Sequence, residues 1–216
     1  MTRRSLRRQP PGPADCTCRL GALRRVLALG FALPAVLAVA GCTGPDAGEP
    51  AAEHPPASGA PAPAVRGTDL SGREVRPSGP VLLALLRPTA GAGSAELADS
   101  RTAAVVTASM AEQYRSLGLT VVIADVAPDQ APERGALVNL SYDWHLGGVT
   151  LLDPASGRRL AASYGATRTP DTYLVAQDGT VAGHWPGALS AVQVAPAVQH
   201  ALGAAPGAVP SATVSP

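Results

Sequence analysis

The chain has 216 residues, 46% hydrophobic but only 3% aromatic, with 23 Gly and 22 Pro, which allows one ordinary domain and leaves room for extensions that need not fold. All 17 basic residues are Arg and the formal net charge is +1, yet seven of those Arg lie within the first 25 residues, opposed only by Asp15. From residue 42 onward ten Arg face fifteen acidic residues, a net −5, and a mildly acidic product of this kind has no electrostatic footprint for nucleic acid or anionic lipid.

At the N-terminus, Val26 to Ala40 (VLALGFALPAVLAVA) has the length of a secretory h-region. It is too short for a spanning helix and carries Pro34 in its middle. Val39-Ala40-Gly41-Cys42 follows and resembles a lipobox: the small residues admit the signal peptidase, and the Cys thiol takes the diacylglycerol. Residues 1–41 therefore read as a bacterial lipoprotein signal peptide and Cys42 as the lipidated first residue of the mature chain. At roughly 0.8 kcal/mol per buried methylene, several acyl chains would hold the protein on the outer face of the cytoplasmic membrane. Thr2-Arg3-Arg4-Ser5-Leu6 partly resembles a twin-arginine export signal, but it stands far from the h-region.

The cysteines then decide the chemistry. Cys16 and Cys18 leave with the signal peptide, Cys42 is acylated, and the sequence has no other. The mature protein is expected to have no free thiol, no disulfide and no cysteine metal ligand.

Residues 42–64 are rich in Pro, Ala and Gly without apolar periodicity, and are expected to form a flexible tether. A domain over 65–203 follows, and 204–216 is expected to be a disordered tail. Leu70-Ser71-Gly72-Arg73 is turn chemistry for an opening hairpin that ends near Val75. Val81 to Leu86 (VLLALL) is a strand buried on both faces. A breaker segment, Arg87 to Gly93, precedes a long helix from Ser94 to Leu117, with an apolar stripe through Leu97, Arg101, Ala104, Val105, Ala108 and Ala111 and with Gly118 as its left-handed stop. Leu119 to Ala124 is a second buried strand, Pro128 to Asp143 a shorter helix, Val149 to Leu152 a strand and Gly157 to Tyr164 a short helix. Thr172 to Ala176 and Thr180 to His184 flank the hairpin turn Gln177-Asp178-Gly179. Ser190 to Leu202 is a final helix, capped by Ser190, stopped by Gly203 and kinked by Pro196. This alternation, closing on a hairpin and a helix, predicts a mixed sheet with helices on both faces.

Several of these segments carry a family likeness over about Val65 to Leu202: Asp69-Leu70-Ser71-Gly72, VTLLDPASG from Val149 to Gly157, Tyr164-Gly165-Ala166, Thr169-Pro170-Asp171-Thr172-Tyr173-Leu174-Val175, and Asp178-Gly179. In this order they resemble the thioredoxin-like fold of the TlpA and ResA type, the membrane-tethered thiol-disulfide oxidoreductases. The resemblance implies a three-layer α/β/α sandwich with a mixed central sheet. It also implies a Cys-x-x-Cys pair at the start of the long helix, with an acidic residue three positions on. Counting back from Glu96, the two positions are Ala90 and Gly93, so both thiols are missing. The family chemistry needs a thiolate at the helix N-terminus and a second thiol to resolve the mixed disulfide, and neither Ala90 nor Gly93 supplies one. Thr169-Pro170 matches the family's cis-Pro loop, which faces that helix and presents backbone groups to an extended peptide.

Three functions remain open. The first is a redox-inactive, lipid-anchored module that binds a protein or peptide partner along Thr169 and Pro170. The second is an oxidoreductase, as the fold family would suggest. The third is an anion or small-ligand site made of Arg87 and the amides of Gly91, Gly93 and Ser94, with Arg168 nearby. His54, His145, His184 and His200 show no ligand spacing, so no metal is expected, and no cofactor or nucleic-acid partner is expected either. Trp144, Trp185 and Tyr173 read as packing residues.

Overall fold

A computed structural model describes residues 52–88, 93–126 and 134–204, all within one compact unit, Gly44–Pro216. The expected signal peptide, Cys42 and the first part of the tether lie outside the described residues, as do 89–92, 127–133 and the tail from 205. Among the described residues no helix is long and apolar enough to cross a membrane.

The elements are β1 (Gly67–Thr68), β2 (Glu74–Val75), β3 (Val81–Leu86), α1 (Ser94–Tyr114), β4 (Thr120–Asp125), α2 (Arg134–Asp143), β5 (Thr150–Leu151), α3 (Pro154–Ser163), β6 (Asp171–Val175), β7 (Val181–Pro186) and α4 (Ala191–Ala201). β3 lies at the centre of a five-stranded sheet of order β5-β4-β3-β6-β7. It runs parallel to β4, and β4 to β5, whereas β6 is antiparallel to both β3 and β7. Because side chains alternate across a strand, the unbroken apolar run of β3 feeds two cores. Leu82, Ala84 and Leu86 pack with α1 residues such as Ala104, Ala108 and Tyr114 and with Val194 and Val198 of α4. Val81, Leu83 and Leu85 pack on the opposite face with Leu160, Tyr164 and Tyr173. The result is the expected mixed sheet between two helical layers. Trp144 and Trp185 pack against the first core, as the packing reading required.

The helices differ from expectation in instructive ways. α1 ends at Tyr114 and continues as a 3-10 turn over Arg115–Leu117 before Gly118, at φ 95°, stops it. Its buried face is not the expected stripe. Leu97 and Val105 are 40% and 47% exposed and Arg101 is exposed, whereas Ser100, Ala103 and Thr107 are fully buried beside Ala104, Ala108 and Ala111. Small hydroxyl residues can face a core when a local acceptor or donor satisfies them: Thr107 Oγ1 donates to Ala104 O at 2.9 Å, and Ser100 Oγ accepts from Arg87 N at 3.3 Å. α3 begins three residues before the expected Gly157. Asp153 caps it by accepting from the amides of Ala155 and Ser156, both at 2.9 Å, and Pro154 takes the first turn, where its missing N–H costs nothing. Ser190 precedes α4 as expected, but its hydroxyl donates to Gln193 Oε1 at 3.1 Å and does not cap an amide. α4 ends at Ala201, and Ala204, the first residue of the expected tail, closes the helix terminus by donating its amide to Gln199 O at 3.0 Å.

Residues 52–64, expected to belong to the tether, are part of the domain. Ala52 N donates to Ala162 O (2.9 Å), Gly59 N to Val181 O (2.8 Å), Val181 N to Ala60 O (2.9 Å), Ala62 N to Gly179 O (2.8 Å) and Tyr164 Oη to Pro63 O (2.9 Å). Main-chain pairing with β7 and α3 holds a segment that has few apolar side chains of its own, so periodicity alone could not reveal it.

The opening hairpin forms between β1 and β2, and Asp69 organises its turn. The carboxylate accepts from Ser71 Oγ (2.6 Å), Ser71 N (2.8 Å), Arg73 N (2.9 Å) and Arg73 Nε (3.1 Å). The Ser71 hydroxyl and the Arg73 amide hold its carboxyl well below the usual carboxylate range. A depressed folded pKa contributes stability above the ordinary carboxylate pKa, and that contribution is lost as pH falls through the depressed value. In urea unfolding, an Asp69→Asn variant should therefore differ from the parent most near neutral pH and converge with it in strong acid. A difference that is constant with pH would show that the charge of Asp69 adds nothing.

Candidate functional site

The C-terminal end of β3 delivers Arg87 and Pro88, and α1 starts seven residues after Arg87. Gly93 is the N-cap of α1, with φ −63° and ψ 158° and no side-chain cap, and its carbonyl accepts from Leu97 N at 2.9 Å. Ser94 opens the helix and Glu96 places a carboxylate in its first turn, where the helix dipole favours negative charge.

Across from this terminus lies the loop before β6. The Thr169–Pro170 peptide bond is cis, as the resemblance implied. The hydroxyl of Thr169 donates to Glu96 Oε1, joining the loop to the first turn of α1. On the other side Pro170 O accepts from Gly187 N at 2.7 Å. Thr169, Pro170, Gly93, Ser94 and Glu96 are thus brought to one end of the sheet. Ala90 and Gly91, the first family cysteine position and one of the expected anion-binding amides, lie outside the described residues. Arg87 donates its backbone amide to the fully buried Ser100, and its Nε is buried without a hydrogen-bond partner among the described residues. Arg168 is exposed on the loop, with no ion-pair partner among the described residues.

Directly behind Pro170 is a polar cluster that the sequence reading did not single out. Asp171, 4% exposed, accepts from Tyr173 Oη at 2.6 Å through Oδ2 and meets His184 Nε2 at 2.6 Å through Oδ1. Tyr173 and His184 are cross-strand partners on β6 and β7, stacked with centroids 4.3 Å apart and planes 6° from parallel. Tyr164 packs against the other side of Tyr173 at 4.8 Å. Burial pushes the Asp171 carboxyl up, and the bonds from Tyr173 and His184 pull the other way. Burial and the neighbouring carboxylate also raise the Tyr173 phenol, so it stays a hydrogen-bond donor at neutral pH. The available signal was the alternation of Asp171, Tyr173 and Val175 on one strand face. An acid on that face of a buried strand requires partners, and these are Tyr173 on the same strand and His184 on β7. Of the other histidines, His54 and His145 lie far along the chain from this site, and no group of three or more His, Cys, Asp or Glu among the described residues could hold a metal ion.

No protein-family model matches the sequence, and no curated protein matches it either. Solved structures do. A Chlorobium tepidum protein assigned as the thiol:disulfide interchange protein DsbE is 18% identical, with a TM-score of 0.55, covering 68% of this chain and 99% of its own. A thioredoxin-family thiol:disulfide interchange protein from Chlorobium tepidum TLS is 17% identical, with a TM-score of 0.53 and coverage of 70% and 99%. A thiol:disulfide interchange protein from a Bacteroides species is 18% identical, with a TM-score of 0.52 and coverage of 70% and 94%. At these identities the likeness is one of fold, and the fold is thioredoxin-like.

Proposed function

We propose that this chain is a lipid-anchored binding module on the outer face of the cytoplasmic membrane, one that keeps the thioredoxin-like frame without its redox chemistry. The observation that carries this reading is the pairing of a Thr169–Pro170 cis loop with the first turn of α1 through Thr169 and Glu96, in a chain with no cysteine after Cys42. The frame supports backbone pairing with an extended segment of a protein partner. Neither Gly93 nor, by its spacing from Glu96, Ala90 offers a thiolate to attack a disulfide. Mature protein starting at Cys42 should reduce insulin disulfides no faster than a blank without protein, and should likewise leave a peroxide untouched. Turnover above the blank would restore the oxidoreductase alternative. The partner is to be found by cross-linking from membranes, with Thr169→Ala expected to weaken capture.

A second reading has its own support. The Nε of Arg87, buried and without a hydrogen-bond partner among the described residues, follows the strand that leads to the start of α1, and a guanidinium there with helix N-terminal amides would suit a carboxylate or phosphate. Calorimetry with acetate and inorganic phosphate should then show heat that disappears in Arg87→Ala. No heat with the parent protein removes this reading.

A further inference from the structure

The Thr169–Pro170 loop is fastened at three points, and the third joins two titratable side chains. Thr169 Oγ1 donates to Glu96 of α1. Gly187 N, at the exit from β7, donates to Pro170 O at 2.7 Å. The third fastening is the side chain of the next residue, Asp171, whose Oδ1 meets His184 Nε2 on β7 at 2.6 Å. The second and third tie the loop to one short stretch, from His184 to Gly187, so a change between Asp171 and His184 is felt at Pro170 as well.

Asp171 is 4% exposed, so its charge must be balanced by the protein and not by water. The groups around it are few. On β6 itself Tyr173 donates to Oδ2 at 2.6 Å and stays neutral, because burial and the carboxylate raise its phenol. Tyr164, at the end of α3, packs behind Tyr173. On β3 the partner of Asp171 is Leu85, and Arg87, two residues on, makes no ion pair with it. From α1, Glu96 is bonded to Thr169, and Arg168 is exposed on the loop. Of the groups bonded to Asp171 among the described residues, only His184 can carry positive charge, and only when protonated. With one proton between them the pair is balanced, either as carboxylate and imidazolium or as acid and imidazole. Once that proton leaves, a buried carboxylate is held by two neutral donors.

We propose that the Asp171–His184 pair is a proton-dependent latch on the Thr169–Pro170 loop, closed in acid and released as the pH rises. Its use rests on the reading of that loop as the partner's groove, and it makes binding there strongest in acid. The sign follows from burial, which raises the Asp171 carboxyl: closure is fully present below the ordinary carboxylate range and is lost as pH climbs through the raised value. Exchange of the Gly187 amide reads the bond to Pro170 O. It is followed by NMR in the chain from residue 42 onward, from about pH 5 to about pH 8, with each rate corrected for the intrinsic pH dependence of exchange. Protection should fall as the pH rises, by up to about tenfold per pH unit for one proton. In Asp171→Asn it should not vary with pH. In His184→Gln, which keeps a donor and removes the charge, the fall should be larger, with variant and parent converging in acid. Constant protection in the parent, or a fall that persists in Asp171→Asn, would overturn the latch. So would protection equal at every pH to that of the Leu152 amide, which is bonded to Ile123 O at the other edge of the sheet, since the loop would then open only with the whole domain. The measurement needs no partner, so a latch that titrates in a chain capturing nothing from membranes would remove the groove reading and leave the latch.

Discussion

Replacing Gly157 with alanine should destabilise the domain by about 2–3 kcal/mol, while the same change at Gly135 should stabilise it by about 0.5 kcal/mol. Both glycines lie in helices, α3 and α2, where alanine is intrinsically the better residue. Their surroundings decide the sign. A Cβ built on Gly157 would sit 2.6 Å from Asp125 O and 3.2 Å from Asp125 N, both backbone atoms of β4 that cannot rotate away. α3 must then lift off the sheet, opening the second core around Leu160 and Tyr164. A Cβ on Gly135 meets nothing within 4 Å, so the only effect there is a more restricted unfolded chain. Urea unfolding of the two variants in parallel checks the pair. Equal effects would show that α3 does not lie as close to β4 as described.

Removing His184 should cost about 2 kcal/mol near neutral pH, the scale of losing a hydrogen bond to a charged group at a partly buried site, since His184 retains 26% side-chain exposure. The pH dependence distinguishes this from a loss of packing. Asp171 has a raised folded pKa, so the stability linked to it is fully present below the ordinary carboxylate pKa and is lost as pH rises through the folded value. His184 opposes that loss by its charge and its hydrogen bond. In a His184→Ala variant the folded pKa of Asp171 should rise further and the penalty of burying its ionised form should grow. The difference between variant and parent should therefore be small in acid, where Asp171 is protonated in both, and larger near neutrality. A penalty independent of pH would assign His184 to stacking on Tyr173 alone. Tyr173→Phe supplies the complementary case, since it keeps the ring and removes only the 2.6 Å bond to Asp171.

Such a cluster was hard to read beforehand for a specific reason. The turn Gln177-Asp178-Gly179 announces the hairpin, and regular pairing outward from Val175 and Val181 would set Thr172 opposite His184. The observed register shifts at Leu174/Val175, so that Leu174 faces Gly183 and Tyr173 faces His184. One extra residue in β7 moves His184 to the face of Tyr173 and Asp171, and turns Trp185 to the other face. Bulges of this kind depend on packing on both sides of the sheet, which local propensity does not encode. The buried face of α1 has a similar origin: Leu97 and Val105 were natural choices for the core by hydrophobicity, but the small residues Ser100, Ala103 and Thr107 allow the closer approach to β3 and β4.

By itself the sequence determined the positions of β3, β4, α1 and the β6–β7 hairpin, because long apolar runs and glycine stops act through local geometry and burial on both faces. It also determined that no thiol follows Cys42, a matter of composition that no fold can alter. Only the tertiary structure decided which side of α1 is buried, which residue His184 faces and where the N-terminal segment goes. Each of these depends on contacts between residues far apart in the chain. The pairing of residues 59–62 with the start of β7 and the turn before it is carried by main-chain groups that every sequence possesses, and so it leaves almost no trace in the side chains.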